Sequence, residues 1–453
     1  MLRCTAWARW MVATLIVLLW QPGIAGAAAP PVSVTLGHSV AALNGPWKFH
    51  AGDDPNGANP DADDASWETV DLTPLPGAHD SDVGLSGYVA GWQARGHRGY
   101  VGYGWYRLTL TVNAPAGSAL ALSGPPDVDS AYQVFFDGHL LGGIGDFSGR
   151  TPIAYSIQPR VFELPATVVS GHPVVLAIRV FMGPWDIGAD DAGGIHIAPA
   201  IGERSGVEAQ YRMQWLETVK GYIVEVVEAF LFLLLALMCL SLLPFDRSHT
   251  AYSWFALALL LVAAYRANQA FFYWGQFESI HTFEFVSYVM LVPLCLGTWV
   301  MAWRAWFEVN QPHWLRQSIV ILTLIYVVAQ FLNCSWFYDV LPSWTATSVG
   351  WLMTIVRVML LLALTFIVVR GMQKMGREGW YALPAIVFIS IGLFAQELSA
   401  IHVPGIWFPF GTGVSRTQYA YLAFDIAFAI LLAQRLRRFA RKNRDVDGEL
   451  LVH

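Results

Sequence analysis

Between Val219 and Arg435 apolar runs follow one another, interrupted only by short polar breaks. A helix needs about 20 mostly apolar residues to cross the hydrocarbon core of a bilayer. Seven stretches meet that length: Val219–Pro244, Ala251–Trp274, Phe283–Phe307, Leu315–Leu332, Ser348–Arg370, Trp380–Ile401 and Thr417–Gln434. Only helices and closed barrels satisfy their backbone groups in lipid. These runs lack the two-residue alternation of barrel strands, so they predict a bundle of seven transmembrane helices over residues 215–436.

Basic residues concentrate on the cytoplasmic side of a membrane. The loop after the first run holds Arg247, the one after the third is flanked by Arg304 and Arg316, and the one after the fifth holds Arg370, Lys374 and Arg377. The last run is followed by Arg435, Arg437, Arg438, Arg441, Lys442 and Arg444. The intervening loops are nearly free of Lys and Arg, with Arg416 the exception. The charge pattern therefore predicts that everything before the first helix is outside, and that the short basic tail, residues 437–453, is inside. Trp254, Trp274, Trp303, Trp306, Trp314, Trp344, Trp380 and Trp407 fall near the proposed ends, where indole rings sit at headgroup level.

Residues 1–27 read as a signal peptide: Arg3 and Arg9, an apolar stretch at Met11–Trp20, and the small residues Ala25-Gly26-Ala27. The expected exported segment, residues 28–206, contains no cysteine; Cys4 lies in the leader, and Cys239, Cys295 and Cys334 lie in or beside helices. No disulfide staple is needed, because a domain of about 180 residues buries a sufficient core. Its signals are those of strands. Tyr106, Leu108, Leu110 and Val112 alternate with Trp105, Arg107, Thr109 and Thr111. Tyr132–Phe136 and His139–Ile144 flank Asp137-Gly138, a strong hairpin signal. Val174–Phe181 is a further strand. Many short strands with turn residues between them predict an all-β sandwich. The Gln214–Lys220 segment is the expected junction with the helices.

The β segment also carries Leu43-Asn44-Gly45-Pro46-Trp47-Lys48-Phe49, then Ser66-Trp67-Glu68-Thr69-Val70, Gly104-Trp105-Tyr106-Arg107, Phe136-Asp137-Gly138-His139 and Gly193-Gly194-Ile195-His196. In that order these pieces resemble the jelly-roll, galactose-binding-like sugar-binding domain of family 2 glycoside hydrolases. The resemblance implies a fold and a carbohydrate ligand class. It does not imply catalysis, which in those enzymes belongs to a separate barrel. An exported jelly roll joined to seven helices resembles bacterial seven-transmembrane receptors with diverse intracellular signalling modules, multi-pass proteins of the inner membrane. Such receptors continue into a kinase, cyclase or phosphatase domain. The roughly 18 residues after the last helix are too few for a domain, so the expectation is an output supplied by a cytoplasmic signalling protein in trans, or by a portion outside this sequence.

Three constellations are candidates for function. The glycine-rich loop His79–Tyr103 holds Asp80, Asp82, Tyr88, Trp92, Arg95, His97, Tyr100 and Tyr103. Sugar C–H faces stack on aromatic rings, and hydroxyls bond to carboxylates and guanidinium groups. Asp80, Tyr88, Trp92, Arg95, His97, Tyr100 and Tyr103 are accordingly the candidate ligand-binding residues; the alternative is a structured cover over a sheet edge. Asp53, Asp54, Asp61, Asp63 and Asp64 form an acidic turn without the spacing of a calcium loop. Within the helices Arg266, Arg357, Glu397 and Asp425 are ionisable residues, expensive in lipid, and are expected to form an intramembrane polar network with Glu225 and Glu228 nearby.

No motif for a metal, nucleotide or other cofactor is present, and the last helix has no Lys for a retinal Schiff base. The basic tail reads as a partner for inner-leaflet phosphate rather than nucleic acid. The resulting expectation is a receptor without enzyme activity that binds an envelope small molecule or carbohydrate. The alternatives are a membrane enzyme acting on envelope glycans or lipids, and a transporter. Oligomeric state is open, with a homodimer among the options.

Overall fold

The computed structural model describes residues 40–80, 83–114, 118–165, 173–184, 190–244, 250–337, 341–403 and 416–450, with side chains described as far as 437. The segment expected to be a signal peptide, Asp82, Arg247, Trp407 and the side chains of Arg438, Arg441, Lys442 and Arg444 lie outside the described residues.

The first part is built of antiparallel strands. One sheet has the order β1 (Val40–Ala42), β10 (Ala200–Glu203), β5 (Leu120–Ser123) and β8 (Val161–Glu163). The other runs β3 (Glu68–Val70), β2 (Trp47–Ala51), β4 (Gly102–Thr111), β9 (Pro173–Met182), β6 (Ala131–Phe136) and β7 (His139–Ile144). Both contribute to one core: Leu122 and Ile201 from the first meet Trp47, Phe49, Tyr132, Val134 and Ile178 from the second.

The β6–β7 turn follows from its sequence. Asp137 (φ 49°) and Gly138 (φ 82°) both take positive φ, as the two-residue turn matching strand twist requires. In β4 the alternation holds from Leu108 onward, but Trp105 and Arg107 are buried as well. The acidic turn covers that second face. Arg107 bonds the Asp64 carboxylate at 3.0 Å and the carbonyls of Gly57 and Asn59 at 2.8 and 2.7 Å, while Asp53 pairs with Arg179.

Eight helices follow among the described residues: α1 (Arg204–Leu242), α2 (Ala251–Trp274), α3 (Ile280–Trp306), α4 (Trp314–Leu332), α5 (Ser343–Met375), α6 (Arg377–Leu393), α7 (Ala395–Ala400) and α8 (Arg416–Leu450). Six of them contain spans long and apolar enough to cross a membrane. At about 1.5 Å per residue α1 is about 58 Å long, well beyond a hydrocarbon core of about 30 Å. It starts directly after β10 and runs through the expected junction at Gln214–Lys220 without a break.

The expected span Trp380–Ile401 is interrupted. α6 ends at Leu393, Phe394 leaves helical geometry, and α7 adds six residues. The break exposes the Leu393 carbonyl, which accepts a hydrogen bond from Arg357 Nη2 at 3.0 Å. With 17 residues, α6 alone falls short of a full crossing. Pro293 lies inside α3, where a proline removes a backbone hydrogen bond. Having no N–H, it is preceded by a π-helical segment, Phe285–Leu291, in which Val292 N–H reaches back to the Ser287 carbonyl.

The sandwich is fastened to one end of the helices. Gln158 Nε2 donates to the Tyr273 carbonyl at 3.0 Å, Gln276 Nε2 donates to the Ser156 carbonyl at 3.3 Å, and Ile280 N–H donates to the Ala154 carbonyl at 2.9 Å. At the other end Arg435 lies 4.3 Å from the Trp306 ring centroid and 5.4 Å from that of Tyr252, and Lys374 pairs with Glu308 at 3.0 Å. Tyr252 and Tyr273 both belong to α2. Their separation along the helix is about 30 Å, one hydrocarbon thickness.

Candidate functional site at the junction

Where the sandwich meets the helices there is a cavity of about 410 Å³, inside the range of about 300–1,000 Å³ usual for small-molecule sites. Its walls come from both parts. The sandwich supplies Asp80, Tyr88, Asp127, Asp129, Asp191 and His196; the helices supply Thr218, Tyr222, Phe272, Tyr273 and Ile280.

A charged pair sits at its centre. His196 is 3% exposed. Its Nε2 lies 2.9 Å from the Asp129 carboxylate and its Nδ1 3.0 Å from the Val89 carbonyl. Both ring nitrogens face acceptors, so both carry protons and the ring is an imidazolium. Burial opposes that charge. The hydrogen bond donated to Asp129 and the charges of Asp129 and Asp127 outweigh it and push the group up to about 9. The Tyr88 ring stacks on His196 with centroids 5.1 Å apart and planes 3° apart, and its hydroxyl donates to Asp191 at 2.7 Å. Burial, and then that acidic partner, raise the phenol well above its ordinary value. Four carboxylates against one imidazolium leave the cavity acidic.

Local sequence explains the placement. Gly193 takes φ +98°, and a Cβ there would fall 2.2 Å from the Trp92 indole nitrogen. The turn thus presses on Trp92 while its N–H donates to Asp129. Gly221 does the same from α1: a Cβ there would lie 2.5 Å from Val83, which lets the Asp80 loop approach the helix.

The candidate loop residues divide. Asp80 and Tyr88 line the cavity; Asp80 also caps its own loop, accepting from the N–H of Val83 at 2.8 Å and from that of Leu85. Trp92 is 1% exposed and belongs to the sandwich core. Arg95 ties the carbonyls of Ala90 and Asp71 together at 2.8 and 2.9 Å. His97 lies 3.0 Å from the Glu68 carboxylate and edge-on to Phe49. The Tyr100 hydroxyl donates to the Tyr103 carbonyl at 2.6 Å, and the Tyr103 ring lies under the Arg179 guanidinium at 4.1 Å. These five do not line the junction cavity. The sequence reading passed over Asp127, Asp129, Asp191, Tyr222 and Tyr273. It noted His196 only as part of a family motif, although the glycines before it mark a turn that carries a polar side chain to a neighbouring loop.

The four intramembrane residues form two clusters. Arg357 bonds the Glu397 carboxylate through Nε and, at 2.6 Å, through Nη2, and donates to the Tyr326 hydroxyl at 2.9 Å. Arg266 lies 2.9 Å from Glu228 and 3.8 Å from Glu225. Its Nε–H does not point at the Glu228 oxygen, so that contact is not an aligned hydrogen bond. Both arginines line one further cavity of about 240 Å³ inside the bundle, together with Gln269, Gln330, Gln396 and Gln418. Among the described residues no group of three or more His, Cys, Asp or Glu side chains is arranged to hold a metal ion.

No protein-family model matches the chain, and no curated protein matches it significantly. Similar solved structures include a Bacteroides uniformis β-glucuronidase 2 covalently bound to cyclophellitol-6-carboxylate aziridine, at 20% identity and a TM-score of 0.26, covering 37% of this chain and 18% of that one. A β-glycosidase from Bacteroides vulgatus shows 19% identity and a TM-score of 0.25 over 36% of this chain and 20% of its own. A Bifidobacterium dentium β-glucuronidase complexed with coumarin-3-O-glucuronide shows 16% identity and a TM-score of 0.24 over 33% and 21%. This chain therefore spans only about a fifth of the length of those glycosidases.

Proposed function

We propose that this chain is a bacterial envelope receptor whose ligand occupies the junction cavity and whose helices carry the change to the basic end. The observation that carries this reading is the shared wall: Tyr88, Asp129 and His196 from the sandwich face Thr218, Tyr222 and Tyr273 from α1 and α2. A ligand shifts a conformational equilibrium only if it binds one state better than the other. An occupant held by both parts meets that condition whenever they move relative to each other.

The chemistry of the lining favours a neutral, hydroxyl-rich ligand such as a carbohydrate. Tyr88, Tyr222, Phe272 and Tyr273 offer aromatic faces for C–H groups, and the aspartates accept from hydroxyls. The excess of carboxylates disfavours anionic sugars. The charge of the loops supports an exported sandwich and a basic cytoplasmic end in the inner membrane, with output passed to a cytoplasmic protein.

The test is a screen of neutral and anionic sugars against the full chain in lipid nanodiscs. Binding of a neutral sugar, lost in both Asp191→Asn and Tyr222→Ala, is the expected result. Binding that survives both variants but disappears in Tyr103→Ala would move the site to the outer loop and overturn the junction assignment.

A further inference from the structure

Behind the junction lies a cluster whose charges do not balance. Glu225 and Glu228 on α1, Arg266 on α2 and Asp425 on α8 are all buried. Counted from the helix ends nearest the sandwich, Arg266 and Asp425 lie about 12–14 Å along α2 and α8, and Glu225 and Glu228 about 32–36 Å along the longer α1. Gln418 Nε2 donates to Glu225 at 2.7 Å, and the Arg266 guanidinium lies 4.7 Å from the Tyr421 ring centroid. Asp425 is 6% exposed, and neither of its oxygens has a hydrogen-bond partner among the described residues. Both Glu228 oxygens lack an aligned donor as well. One guanidinium among three carboxylates leaves two negative charges uncompensated in a low-dielectric interior. The other groups facing the cluster do not supply the missing charge: Tyr265 on α2, Cys295 on α3, Tyr326 on α4 and Tyr421 on α8 cannot carry a positive charge. The Arg357 guanidinium is committed to Glu397. Buried charges without partners neutralise rather than persist.

The cavity inside the bundle touches this cluster without being lined by Glu228 or Asp425. Glu225, Arg266 and Tyr421 line the cavity inside the bundle, and Tyr222 and Tyr273 line both that cavity and the junction cavity above it. Those two tyrosines stack with centroids 4.1 Å apart and planes 8° apart, forming the partition between the two spaces. Toward the basic end Phe232, Phe255, Trp299, Trp303, Phe424 and Phe428 are fully buried and in mutual ring contact. They form a layer of packed rings on that side of the cluster.

We infer that Glu228, next to Arg266, and Asp425 form a proton-binding site that equilibrates with the sandwich side of the membrane and is sealed from the basic side. The chain is in this respect a sensor of acidity on one face, not a proton conductor. Loss of a bound proton adds a negative charge in excess of the one on Arg266, and repulsion among the buried carboxylates loosens the α1–α2–α8 packing; uptake restores it.

The test is infrared difference spectroscopy of the full chain in lipid nanodiscs, following the carbonyl stretch of protonated carboxylic acid. A band that diminishes as pH rises, is reduced in Asp425→Asn and in Glu228→Gln, and is lost in the double variant is expected. A band unchanged in the double variant, or none in the native chain at any pH, would overturn the site. Stabilisation by sodium without such a band would also overturn it, in favour of a cation. In vesicles with the chain in one orientation, a pH jump on the sandwich side should change the band and the same jump on the basic side should not. A response to the basic side would refute the seal. Each substitution is nearly isosteric, and native-like mobility in size-exclusion chromatography is the control for folding.

Discussion

Asp129→Asn removes one charge at the junction while nearly keeping the shape of the side chain, and its effect can be worked out from the geometry. The carboxylate accepts from His196 and from the Gly193 N–H, and an amide oxygen can still accept from the latter. What is lost is the charge that holds His196 at about 9 rather than 6.5. At about 1.4 kcal/mol per pH unit, that elevation is worth roughly 3 kcal/mol to the folded state. A group raised on folding contributes fully below its unfolded value and loses its contribution as pH climbs through the folded one. The native chain should therefore keep this stability below 6.5 and shed it as pH rises through about 9. In the variant, burial of the imidazolium is no longer offset by its nearest partner, so the contribution is absent throughout. A domain of this size shifts by about 2–4 °C per kcal/mol, so the expected loss in Tm at mildly acidic pH is roughly 5–10 °C. Thermal unfolding of the full chain in nanodiscs, followed by tryptophan fluorescence across that pH window, measures it. A variant that keeps the native fall in Tm with rising pH, or a native chain whose Tm is flat there, would show that His196 is not an imidazolium held by Asp129.

Arg357→Ala should destabilise the bundle by about 3–5 kcal/mol by leaving Glu397 without its partner, and Arg357→Ala combined with Glu397→Ala should recover much of that loss in nanodisc melting. Gly221→Ala places a methyl 2.5 Å from Val83 and should cost about 1–3 kcal/mol by overpacking; Val83→Ala in the same chain should relieve it, read as Tm. Trp92→Ala should cost about 3–5 kcal/mol as a core truncation. Tyr103→Ala, which loses mainly a ring under Arg179, should cost about 0.5–1 kcal/mol, and circular dichroism melts separate the two.

What the sequence revealed, and what it hid, divides along the range of the forces involved. The β6–β7 hairpin was legible because Asp137 and Gly138 fix their own φ angles. The spans were legible because hydrocarbon thickness sets a length that any continuous apolar helix must meet. The interruption at Phe394 was not, because it depends on Arg357, a residue 37 positions earlier, taking the Leu393 carbonyl. The loop His79–Tyr103 was ambiguous for a chemical reason. Rings that stack on a sugar and rings that close a core are the same rings, and only the fold shows that Trp92 and His97 face Phe49 while Tyr100 packs edge-on against both. The junction cavity joins segments near residues 80, 88, 128, 191, 196, 220 and 273, and no local pattern marks such a meeting.

That distance in sequence is also why the junction is suited to transmission. Tyr273 belongs to the helices, yet its carbonyl is held by Gln158 of the sandwich and its ring by Tyr222 of α1. Its side chain borders the acidic cavity on one side and the cavity leading to Arg266 on the other. Rotation of the sandwich therefore pulls on the residue that partitions the two spaces, and the stacked pair must slide or open. A change of occupant above and a change of charge below act on one common element. Linkage makes such an effect reciprocal: a ligand that favours the closed stack should favour the protonated cluster, and protonation should tighten the ligand by the same factor.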